Sequence, residues 1–135
     1  MAANSLRLWI TALLAAIGGY AVGAAVGTFL AGAVGLWYPS AAYALGAFCA
    51  VLAAYIGAPA SRLSFSVAVA FGVSLVSFAA LGTRRYMVST ADASWLEALL
   101  DRPFAAVIAG CSLGGCFAFI AWRAQRSAVT AAAPN

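Results

Sequence analysis

The chain of 135 residues is 66% hydrophobic and only 7% charged, with a mean hydropathy of +1.02. A soluble domain carries about 25% charged residues, so this chain could not cover a water-facing surface, and a soluble globular class is excluded. Its formal charge of +4 comes from arginines that stand at the ends of apolar runs, which fits membrane topology rather than nucleic-acid binding.

The first apolar run extends from Leu8 to Leu36, behind Arg7. As a helix it would reach roughly 43 Å, against a hydrocarbon core of about 30 Å. It must therefore tilt, protrude or bend near Gly18–Gly19. Trp9 at one end and Trp37 with Tyr38 at the other suit the aromatic belts of a bilayer. A cleaved signal peptide is the competing reading, but the hydrophobicity runs well past an h-region of about 7–15 residues.

Within this run Gly19, Gly23 and Gly27 recur every four residues, extended by Ala15, Ala31 and Gly35. In lipid, hydrocarbon tails are as apolar as leucine, so helices associate through close van der Waals contact. Small residues permit that approach. The row is expected to be a packing face, either within the chain or against another copy.

The second span, residues 40–58, follows Pro39 so closely that the first two helices must form an antiparallel hairpin. Gly46 lies on its small-residue row. The third span, 63–82, places Ser66, Ser74 and Ser77 within about an 80° arc. That arc is a candidate polar lining, unless the hydroxyls bond back to carbonyls of the preceding turn.

Between the third and fourth spans lies a segment holding all three carboxylates, Asp92, Glu97 and Asp101. Ser94 and Glu97 have capping-box spacing, and Trp95, Leu96, Leu99 and Leu100 share one side. Residues 91–101 thus read as a short amphipathic helix at the membrane surface. Arg84, Arg85 and Arg102 form the best polar cluster, a candidate contact for an anion or lipid headgroup.

The fourth span runs over residues 103–122, opening on Pro103, a residue suited to a first helical turn. Gly110 and Gly114 lie on a small-residue row there, and residues 124–135 are expected to be a flexible tail. Cys111 and Cys116 are too far apart along one helix to form a disulfide. With Cys49, they read as small apolar fillers.

The spans contain no Asp, Glu, Lys, Arg or His, so a proton-coupled exchanger lacks its working residue. No histidine exists to serve a triad, a haem or a zinc site. The expectation is an all-α integral membrane protein. It would be a single polytopic domain over residues 1–135, a bundle of four transmembrane helices with a short interfacial helix between the third and fourth. No catalytic residue, cofactor or metal is expected. The expected partners are the lipid bilayer and, within it, a second copy or another integral membrane protein, with no nucleic acid.

With four spans, Arg7, Arg62, Arg123 and Arg126 share one side, and Arg84, Arg85 and Arg102 the other. The excess places both termini in the cytoplasm, in a bacterial inner membrane. Two functions fit: a structural or accessory subunit acting through helix packing, or a homo-oligomeric channel or uncoupled carrier for a small solute. The absence of charge inside the spans favours the first.

Overall fold

The computed structural model describes residues 2–34, 39–82 and 103–131. Among them the fold is all-helical, built from α1 (Ala2–Ala33), α2 (Pro39–Gly57), α3 (Arg62–Gly82) and α4 (Pro103–Ala131). Pro39 and Pro103 each open a helix, where a missing N–H costs nothing. All four helices are long and apolar enough to cross a membrane. The surface segment expected over residues 91–101, and Arg84, Arg85 and Arg102, lie outside the described residues.

α1 is helical without interruption through Gly18 and Gly19. Its 32 residues give a length of about 48 Å. α4 also runs further than its apolar stretch. Residues 124–131, expected as part of a flexible tail, form its last turns. Ala, Arg and Gln are good helix formers, and the hydroxyls of Ser127 and Thr130 donate back to the carbonyls of Arg123 and Arg126.

A tight turn joins α2 to α3. Ala58 N–H closes α2 on the Ala54 carbonyl, and Phe65 N–H opens α3 on the Ser61 carbonyl at 3.0 Å. Ser61 itself is left-handed, with φ of 50°. The turn makes α3 run parallel to α1, so Trp9 near the start of α1 meets Phe65 near the start of α3. Their rings contact edge to face at 5.1 Å. At the same end the Tyr55 hydroxyl donates to Gln125 Oε1 at 3.3 Å, tying α2 to α4. Arg7, Arg62, Arg123 and Arg126 therefore share one end of the bundle, all exposed.

α2 is the hub. It packs against α1, α3 and α4, while α3 also packs on α4 and α1 rests almost wholly on α2. Its composition explains the position: a helix lined with Ala, Gly and Ser on several sides can accept several neighbours. The core consists of Ala47, Val51, Val107 and Cys111, with Tyr20, Tyr43, Ala70 and Val73 packed around it.

The distribution of side-chain size is the reverse of a soluble protein's. Alanine dominates the buried residues, whereas Phe29 and Phe71 are each 75% exposed and Leu14, Leu75 and Ile120 also point outward. Water would oppose so large an apolar exterior, and hydrocarbon would not.

Candidate functional site: glycine contacts and a lateral groove

The glycines divide into two groups by what a methyl group would meet. At Gly19 a Cβ would lie 2.8 Å from Ala53 Cβ. At Gly23 it would lie 2.5 Å from the Leu45 carbonyl oxygen, and at Gly27 2.7 Å from that of Ala41. This row faces α2 of the same chain, and Cys49 rests on Gly23.

Gly46 supports the contact from the other side, 3.1 Å from the Tyr20 carbonyl oxygen at its would-be Cβ. On α4, a Cβ at Gly110 would run into the Ala44 carbonyl, and one at Gly114 would come within 3.0 Å of Val51 Cβ. All six glycines thus stand at contacts between helices of one chain.

Gly18, Gly32, Gly72 and Gly115 are the second group, with nothing within 4 Å of a would-be Cβ. Two of them belong to a stripe that the four-residue row obscures. Gly18, Ala21, Ala25, Thr28 and Gly32 are spaced alternately three and four residues apart and are all exposed. They lie on the side of α1 opposite Gly19, Gly23 and Gly27. The alternating interval was the available signal for this second face.

The three serines do not act together. Ser66 is fully buried and its hydroxyl donates to the Leu63 carbonyl at 2.9 Å. The Ser74 hydroxyl donates to the Ala70 carbonyl at 2.8 Å, and Cys111 Sγ lies 3.6 Å from the same oxygen. Ser74 therefore faces α4. Ser77 lines a cavity, which neither Ser66 nor Ser74 borders.

That cavity is a groove of about 650 Å³, open along its side, between α1 and α3 with α2 as its floor. It exists because α1 and α3 meet at Trp9 and Phe65 and scarcely elsewhere. Leu13, Ile17 and Tyr20 form one wall, and Phe65, Val69 and Val76 the other. Tyr43 and Ala50 rise from the floor. Tyr20 and Tyr43 were not singled out from the sequence. Their signal was two tyrosines within apolar spans, with Tyr20 near the middle of its span, away from the interfacial level that tyrosine favours.

The basic end has one further ordered element. The Arg126 guanidinium stacks over Trp122, 4.3 Å from the ring centroid, and Trp122 lies beside Phe119. Of the three cysteines, Cys111 is buried, Cys49 half-buried and Cys116 exposed, and all are free thiols. Comparison with protein-family models, curated proteins and solved structures finds no match to this chain.

Proposed function

We propose that the chain is a four-span integral protein of a bacterial inner membrane, with both termini cytoplasmic, acting as a non-enzymatic accessory subunit. Its work is helix contact with another integral membrane protein inside the bilayer. The observation that carries this reading is the outward stripe of α1. Gly18, Ala21, Ala25, Thr28 and Gly32 remain exposed after the bundle has used the opposite face of the same helix. In lipid, a small-residue face supports close approach of a neighbouring helix, and no solvent force is needed to drive it. The arginine excess at the shared end supports the orientation.

The serines give the channel reading little support, because Ser66 and Ser74 satisfy their hydroxyls within α3. Isolation of the full-length protein in mild detergent, followed by native mass measurement, tests the proposal. A partner subunit should co-purify in fixed ratio. It should be lost in a Gly18→Leu/Gly32→Leu variant and kept in Gly72→Leu, which bears on another surface. Selective solute flux through liposomes holding the purified chain alone would overturn the accessory reading in favour of a channel or carrier.

A further inference from the structure

The groove between α1 and α3 has a definite length, a definite polarity and a charged end. On α3, Phe65, Val69, Gly72 and Val76 form its wall at alternating intervals of four and three residues. Arg62, three residues before Phe65, continues the same stripe and is exposed. Measured along α3 from Phe65 to Ser77, the groove is about 18 Å long. One leaflet is half of a hydrocarbon core of about 30 Å, so the groove matches the depth of a single leaflet.

We infer that this groove binds one acyl chain of an anionic phospholipid, with the phosphate headgroup held at the Arg62 end. The inference rests on the membrane reading above. Hydrocarbon is the solvent facing this groove, and an apolar channel open to it fills with a chain. A volume of about 650 Å³ is within the range of small-molecule sites. Headgroup charge follows from the arginines. Arg62 ends the wall and Arg7 shares that end, and both are exposed. A guanidinium forms paired hydrogen bonds with phosphate oxygens. Ser77 is at the end of the groove away from Arg62, where the chain terminus would lie.

Trp9, which touches Phe65 at the mouth, supplies the reporter. The test uses full-length protein in which Trp37, Trp95 and Trp122 are replaced by Phe, in mild detergent. It is titrated with phosphatidylglycerol or phosphatidylcholine brominated on one acyl chain. Saturable quenching of Trp9 is expected, with half-saturation at a roughly five-fold lower concentration for the anionic lipid. Arg62→Gln should abolish that preference, and Arg123→Gln, on α4, should leave it intact.

Gly72→Phe projects a ring into the groove from a position where a Cβ meets nothing within 4 Å. It should remove saturable quenching by both lipids, while Gly72→Ala, the folding control, preserves it. Quenching that rises linearly and is indifferent to Gly72→Phe would overturn the site and indicate bulk solvation only. A fall in native mass on Gly72→Phe would also overturn it, assigning the groove to a second copy. Failure of the membrane reading looks different, since the protein would then be monodisperse in buffer without detergent.

Discussion

At Gly23 a methyl group would lie 2.5 Å from the Leu45 carbonyl oxygen and 2.8 Å from Cys49 Cβ, whereas at Gly18 on the same helix it would meet nothing within 4 Å. The two substitutions should therefore diverge although the residues look alike in sequence. Gly23→Ala forces α1 away from α2, and overpacking of this kind costs about 1–3 kcal/mol. Gly18→Ala should be neutral or slightly stabilising, because alanine is the better helix former by about 1 kcal/mol in water and backbone bonds in lipid are already firmly held. Unfolding in mixed detergent micelles measures both. Equal losses at the two positions would contradict the packing described. The four-residue interval is visible in the sequence, but its partner is not. Helix phase relative to α2 arises from contact between distant residues, and composition alone treats Gly18 and Gly19 as equivalent.

The elements themselves were the most legible part. Each apolar run is long enough to span, and Pro39, Pro59 and Pro103 punctuate the chain where one helix yields to the next. The end of α4 was less legible because hydrophobicity marks where a bilayer ends, not where a helix does. Past Trp122 the residues turn polar yet keep helical propensity, so the backbone continues to Ala131. The α2–α3 turn carries a constraint that sequence pattern does not reveal, a left-handed Ser61. For an L-residue this conformation costs about 1–2 kcal/mol, and only glycine escapes it. Ser61→Gly should leave stability unchanged or slightly higher. Ser61→Val should lower it by about 1–2 kcal/mol, because a β-branched residue fits positive φ poorly. Thermal midpoints in mild detergent would show the order Gly, Ser, Val, and a Val variant as stable as the parent would refute the strain.

The arrangement of the whole molecule follows from α2 being the helix that most others touch. The groove was not legible for the same reason. It is the space left when α1 and α3 both lean on α2 without closing on each other, and no residue pattern encodes a space. α4 is attached to α2 through Gly110 against Ala44, Gly114 against Val51, and the ring contact of Phe48 with Phe117 at 5.7 Å. It reaches α3 through Phe78 and Phe104 at the same separation. In a bilayer each helix satisfies its own backbone and stands alone before it packs. Covalent continuity between α3 and α4 should therefore be dispensable. Co-expressed fragments 1–90 and 91–135 should co-purify in mild detergent, and Gly110→Leu in the second should separate them, because the Ala44 carbonyl occupies the space that side chain needs. Gly115→Leu, at an open position on the same helix, should leave the fragments together. If both variants separate the fragments, or neither does, then close approach of α4 to α2 is not what holds the two halves of this bundle.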